Sequence, residues 1–218
     1  MAFDGITIAA MVSELNKNLS GGRINKIAQP ENDELLITGK GAFGQKRLLL
    51  SASASLPLIY FTSKNRISPL TAPNFCMLLR KHIGSARITE IRQPGLERVV
   101  EFELEHLNEL GDVCHKVLIM ELMGKHSNII FCDDKNMILD SIKHVSCNVS
   151  SVREVLPGRP YFIPHTQDKL DPLTISREDF MEKVCQKPAA ISKALYQTLT
   201  GLSPVMAQEI CYRASIDG

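Results

Sequence analysis

An acid and a base stand side by side at Glu97 and Arg98, just after the pair Pro94-Gly95 and just before the alternating run VVEFELE. Proline restricts φ and glycine accepts conformations closed to other residues, so the pair ends the preceding segment and reverses the chain. Residues 96–98 are therefore expected at the mouth of a strand. A guanidinium there can fork onto a phosphate or stack on a base, while a carboxylate orients it or accepts from a hydroxyl or amine. The same two side chains can equally form a surface ion pair that caps a hairpin. Asp4 also carries two readings, a polar site residue or the N-cap of a helix. Charge placement adds Arg80, Lys81 and Arg87 as possible phosphate contacts.

Other chemistry is poorly represented. The chain contains no GxSxG, P-loop, HExxH or GxGxxG pattern, which removes the common hydrolase, nucleotide and metalloprotease signatures. Its six histidines are isolated, and His115 and His126 read more readily as structural residues than as catalysts. The six cysteines (Cys76, Cys114, Cys132, Cys147, Cys185 and Cys211) show no CxxC and no zinc spacing. No metal or cofactor is expected. Cys76 in FCMLL and Cys132 in IIFCD read as small buried hydrophobes, at home in a reducing cytoplasm.

The N-terminus MAFDGITIAA lacks a basic leader, and nowhere do about 18 apolar residues run together, so neither export by a leader nor a membrane partner is expected. At 218 residues and 44% hydrophobic content the chain can bury one sizeable core or two small ones. A formal charge of +1 gives no global basic field, so a nucleic-acid partner would have to meet local patches. Such polarity exists: Ser63 to Arg98 holds seven Lys or Arg against two acids, and Val99 to Asp140 holds three against nine.

The elements that must position these residues follow from periodicity. Asp4 precedes Ile8, Met11, Val12, Leu15 and Leu19 at helical spacing, closed by Gly21-Gly22. Four short strands are predicted at 23–29, 34–39, 46–51 and 57–62, and a second helix at 74–83 with Arg80 and Lys81 directed away from the core. Five more strands are predicted at 87–92, 98–105, 113–123, 128–132 and 137–143. In the sixth, Val100, Phe102 and Leu104 alternate with Val99, Glu101 and Glu103, the half-buried pattern of an antiparallel sheet. A Pro-rich stretch from Asn148 to Pro172 then connects to helices at 176–185, 189–199 and 204–214. The fold class is α+β: antiparallel β-sheets with two helices, followed by a small helical module. The chain ends at Asp217-Gly218 without a closing element and reads as a piece of something longer. The turn Leu199 to Pro204, with Ala207 and Ile210, resembles a helix-hairpin-helix, although Ser203 stands where nucleic-acid-binding versions usually carry a second Gly.

FDGI, LLRKH, QPGLERVVEF, MELMGKHSNIIF with DDKNMIL, LPGRPY and GLSPVMAQEI, in this order, resemble the N-terminal part of the NFACT family. The resemblance covers nearly the whole chain. It implies an NFACT-N domain over 1–172, similar to the N-terminal domain of the formamidopyrimidine-DNA glycosylases, and a truncated helix-hairpin-helix region over 173–218. It implies a non-enzymatic ribosome quality control factor. Such proteins bind the large ribosomal subunit, through rRNA and stalled peptidyl-tRNA, and recruit tRNA (alanyl-tRNA in bacteria) for C-terminal tailing of the nascent chain. The family's tRNA-binding residues fall on Asp4, Glu97 and Arg98, with Glu97 standing where the family carries Asp. That exchange moves the carboxylate by about one bond, roughly 1.5 Å. Two alternatives accompany this expectation. Some relatives are named for fibronectin binding, which makes a surface adhesin the second reading. A glycosylase-like enzyme is the third, but those enzymes use an N-terminal Pro followed by Glu, and this chain begins Met1-Ala2-Phe3.

Overall fold

The Asp4 side chain accepts from the Thr7 amide at 2.8 Å and so starts α1, Gly5–Leu19. Residues 3–164 and 168–216 are described by the computed structural model. Met1, Ala2, His165 of the PGRPYFIPH stretch, Asp217 and Gly218 lie outside them. After α1 come β1 (Arg23–Ala28), β2 (Glu34–Gly41), β3 (Gly44–Ser51), β4 (Leu58–Phe61) and α2 (Asn74–Ile83). Then follow β5 (Arg87–Arg92), β6 (Val99–Leu107), β7 (Val113–Glu121), β8 (Asn128–Asp133) and β9 (Ile138–Ser141).

All nine strands join one antiparallel sheet in the order β4-β3-β2-β1-β5-β6-β7-β8-β9. The two halves meet where β1 lies beside β5. Arg23 stands opposite Arg87, Gly21 N donates to Ile88 O at 2.7 Å, and Ile24 N donates to Ala86 O at 2.9 Å. That long-range pairing makes a single sheet of strands whose sequence signals are purely local. Helices α1 and α2 cover one face, where Ile8, Leu15, Phe75 and Leu79 pack on Ile27, Ile37, Val100 and Phe102. On the other face, Val99, Val117, Ile119 and Ile130 pack with Val145 and with Val155, Tyr161 and Ile163 of the Pro-rich stretch.

β6 is therefore buried on both faces over its first half, which the alternating pattern did not anticipate. Glu101 is only 8% exposed. Its carboxylate accepts from Arg92 Nε at 2.6 Å, and a charge at that depth requires such a partner. Arg80 keeps its expected outward course. It is exposed, yet its Nε donates to Ile27 O at 2.8 Å and ties α2 to β1.

The helical part comprises α3 (Arg177–Phe180) with a π-helical turn at Met181–Cys185, α4 (Ile191–Thr198) and α5 (Pro204–Arg213). Val184, Ala194, Leu195, Leu199, Leu202, Ala207 and Cys211 form its core, joined by Ile6 from α1 and by Leu170. Leu170 N donates to Thr198 O at 2.8 Å and Thr200 N to Leu170 O at 2.9 Å, which strings the incoming chain alongside the turn after α4.

Candidate nucleic-acid cleft

Three distant backbone segments touch at one point. Gly5 N donates to Gly201 O at 2.8 Å, and Gln93 Nε2 donates to both Gly5 O and Glu97 O, each at 2.8 Å. A Cβ on Gly5 would lie 2.7 Å from Gly201 Cα and closer still to the Leu96 carbonyl oxygen. Only glycine allows this approach. The junction holds the start of α1, the turn before β6 and the turn before α5 together.

Around the junction opens a cleft of about 770 Å³, lined by Asp4, Gly95, Glu97, Arg98, Phe162, Ile163, Pro164, Lys169, Asp171 and Thr200 among others. The structure thus brings Asp4, Glu97 and Arg98 into one site. It does not bring Arg80, Lys81 and Arg87 there, because none of them lines the cleft. The turn that presents Glu97 is the one expected from Pro94-Gly95: Gly95 has φ of +53° and Glu97 N donates to Pro94 O at 3.0 Å. Glu97 and Arg98 are both half-buried.

Asp4 has both oxygens engaged. Oδ1 accepts from the Thr7 amide and hydroxyl, each at 2.8 Å, and Oδ2 accepts from Ser203 Oγ at 2.6 Å. Ser203 Oγ in turn accepts from Met206 N at 3.2 Å and caps α5. Two helix N-caps are therefore hydrogen-bonded to each other. Ser203 thus has a structural role in the turn before α5. Burial raises the Asp4 pKa, but donors from Ser203 and Thr7 outweigh it and hold the carboxyl below its ordinary value.

A carboxyl depressed in the fold stabilises it above the unfolded value of about 3.9, and that stabilisation is lost as pH falls through the depressed value. Urea midpoints measured from pH 6 to pH 2.5 should therefore fall more steeply for the native chain than for Asp4→Asn. Equal slopes would remove Asp4 as a source of acid sensitivity. Asp4→Ala should lower stability by about 1 kcal/mol, the usual cost of a lost N-cap.

Lys169 and Asp171 belong to the cleft and escaped sequence reading, since no spacing relates KLD to the turn before β6. Lys169 Nζ donates to Tyr196 O at 2.7 Å. Its pKa is lowered, first by burial and then by repulsion from Arg98, with Glu97 opposing. Two cations and the Glu97 and Asp171 carboxylates thus face one space. Such a mixture suits a ligand with a phosphate and with hydroxyl or amine donors better than a plain polyanion.

The cleft wall at 162–164 is held from behind. Glu121, at the end of β7, is fully buried, and its oxygens accept from Arg153 Nη2 at 2.7 and 2.5 Å and from the Tyr161 hydroxyl at 3.0 Å. Arg153 Nη1 donates to Phe162 O at 2.6 Å, and the guanidinium lies 5.5 Å from the Tyr161 ring centre. Burial works against the Arg153 charge, but Glu121 more than compensates and its pKa rises. The MELMGKHSN motif supports the same region. Ser127 Oγ accepts from Met123 N at 2.8 Å, and Asn128 bridges to both the amide and the carbonyl of Lys143. His115 and His126 are exposed and do not line the cleft. Among the described residues no group of three or more His, Cys, Asp or Glu side chains is arranged to hold a metal ion, and no helix is long and apolar enough to cross a membrane.

Comparison with known proteins places this geometry in a family. The chain is 39% identical over 217 residues to the Rqc2 homolog RqcH of Bacillus subtilis, covering 99% of this chain and 38% of that protein. It thus spans well under half the length of that relative. The solved N-terminal structure of the fibronectin/fibrinogen-binding protein from Streptococcus suis superposes with a TM-score of 0.89 at 38% identity, covering 99% of this chain and 80% of that one. The N-terminal domain of fibronectin-binding protein PavA from Streptococcus pneumoniae gives 0.88 at 36% identity, over 98% of this chain and 80% of that one. Residues 4–218 match the model of the NFACT N-terminal and middle domains, and the chain belongs to the NFACT family.

Proposed function

We propose that this chain is the tRNA-binding part of a ribosome quality control factor. In this reading Arg98 contacts tRNA phosphate or base, Glu97 orients it or accepts from a ribose hydroxyl or base amine, and Asp4 positions both by clamping α1 to α5. The convergence of Asp4, Glu97 and Arg98 on one cleft, from segments far apart in sequence, carries the reading. The whole protein would bind the large ribosomal subunit with its stalled peptidyl-tRNA and bring in tRNA, alanyl-tRNA in a bacterium, for C-terminal tailing. Peptide-bond chemistry stays with the ribosome, so the chain acts as a binding module in the cytoplasm and not as an enzyme. The division into a glycosylase-like NFACT-N domain to 172 and a helix-hairpin-helix region from 173 belongs to the same proposal. So does a supporting phosphate role for Arg80, Lys81 and Arg87, outside the cleft.

Crosslinking and sequencing of bound RNA tests the assignment. Arg98→Ala should lower tRNA recovery about tenfold or more, the equivalent of one lost charge-assisted contact. Glu97→Asp should retain tRNA, whereas Glu97→Ala should lose most of it. Unchanged tRNA recovery in Arg98→Ala would defeat the assignment. The names of the two solved relatives favour a second reading, adhesion to fibronectin. Saturable binding to immobilised fibronectin that Arg98→Ala leaves intact would support that activity at a separate surface.

A further inference from the structure

The sheet face opposite α1 and α2 is covered by the Pro-rich stretch only over its β6–β9 half. Over β1, β2, β3 and β5 it carries Arg23, Lys26, Lys40, Arg47 and Arg87. The register and the core together define this face. Ile24, Ile27, Leu48 and Ile88 point into the helix-covered core, whereas Ala28, Leu36 and Leu49 form a separate small cluster behind it. Arg23, Lys26, Arg47 and Arg87 each immediately precede one of those inward residues, and Lys40 follows Gly39, whose missing side chain would point at Leu19. All five cations therefore share the open face.

They form two rows across the strands. Arg87, Arg23 and Lys40 are successive register partners, and Lys26 and Arg47 flank Thr38 from either side. Arg23, Lys26, Lys40 and Arg87 are exposed and Arg47 is half-buried. Among the described residues none of the five makes an ion pair. The neighbouring acids are largely taken: Glu34 by Arg66 at 3.2 Å, and Glu101 and Glu103 by Arg92. Glu105, opposite Arg87, and exposed Glu90, opposite Glu103, stand at the margin on the β5–β6 side. Arg47 Nη1 donates to Ser63 O at 3.0 Å and Arg23 Nη1 to Ser85 O at 3.3 Å. These bonds steady the guanidinium groups and leave further N–H donors on each.

We propose that this open sheet face is a second nucleic-acid surface, which takes the phosphate backbone of double-helical RNA. Strands about 4.8 Å apart hold the cations in closely spaced rows fixed by the sheet, dense enough for consecutive phosphates. A single strand is normally held by several aromatic platforms, and this face offers one partly exposed ring, Tyr60 on edge strand β4. A membrane surface would need exposed apolar side chains among the cations, whereas Ala28, Leu36 and Leu49 are buried. Duplex RNA is recognised by shape and phosphate contacts, which two rows of cations supply. Arg87 begins β5 and the cleft lies past its other end, roughly 20 Å away at about 3.3 Å per residue. The surface is thus separate from the cleft and does not depend on what the cleft binds.

Fluorescence anisotropy with a labelled RNA stem of about 20 base pairs, repeated over a salt series, tests this. Lys26→Gln/Lys40→Gln should weaken binding about tenfold and reduce the slope of log affinity against log salt by about 2, one unit per lost phosphate contact. The same loss in slope should appear when the pair is combined with Arg98→Ala, which separates this surface from the cleft. Should the first pair disturb the thermal midpoint, Lys26→Gln/Arg87→Gln reads the same slope. Native affinity and slope in these variants would overturn the proposal. So would an equal loss in Lys17→Gln/Lys125→Gln, which changes the same charge elsewhere. Binding to phosphatidylserine vesicles that the same variants abolish, with no binding of the stem, would make the partner a membrane and overturn it too.

Discussion

Arg153→Ala should be among the most destabilising single substitutions in this protein, at a cost of about 3–5 kcal/mol. The reason lies in what remains behind. Glu121 is fully buried, and the side chain of Arg153 is only 10% exposed. Removing the guanidinium leaves a carboxylate in the core with only the Tyr161 hydroxyl to oppose it, since burial already pushes the Glu121 carboxyl up. At about 2–4 °C per kcal/mol for a chain of this size, the thermal midpoint should drop by about 6–20 °C. Glu121→Leu/Arg153→Met should cost markedly less than the two single changes together, because no charge is then stranded. Strict additivity in that cycle would show that the pair is not coupled. The same substitution removes the Arg153 contact to Phe162 O. Protease cleavage within 148–164 should accelerate, and ligand affinity at the cleft should fall with it.

Gly201→Ala should be nearly as damaging, by about 2–5 kcal/mol. Gly201 has φ of +78°, where an L side chain costs roughly 1–2 kcal/mol. Its new Cβ would also sit 2.6 Å from Leu96 Cβ, and overpacking of that kind adds about 1–3 kcal/mol. Gly5→Ala isolates the second effect, because its backbone requires no positive φ. Both changes should release the helical segment from the sheet domain while the sheet core stays intact. Limited proteolysis should then cut near 165–175 before it cuts the strands. Because the two glycines meet each other, the double variant should cost less than the sum. A Gly201→Ala chain with native melting and native protease resistance would show that the junction tolerates separation.

The nine strands and two large helices were legible because their signals are short-range. Period-two runs such as VVEFELE, the Asp4 cap and the Pro94-Gly95 turn act over a few residues, and the structure places each element within a few residues of its predicted bounds. The Pro94-Gly95 turn was read with its consequence, the presentation of Glu97 and Arg98 at a strand mouth. Lys169, Asp171 and Ser203 were not read as site residues. Nothing in KLDPL or GLSP reports distance to residue 98, because proximity arises only when the chain returns past Leu170 to pack its last helices on α1. Glu121 shows the same limit. In LIMELMG it looks like an ordinary solvent-facing position, and only the docking of Arg153 and Tyr161 buries it.

Sequence alone thus determined the α+β class, the order of the elements, the resemblance to the NFACT family and the polar pair at the start of β6. Tertiary structure alone decided that all strands form one sheet, that Asp4 is shared between two helix caps, and which charges face the cleft. It also separated Arg87 from the cleft and placed it in a row with Arg23 and Lys40. The physical reason is a difference of range. Propensity and periodicity are properties of neighbours along the chain, whereas a binding site is made by contacts whose partners lie tens to hundreds of residues apart.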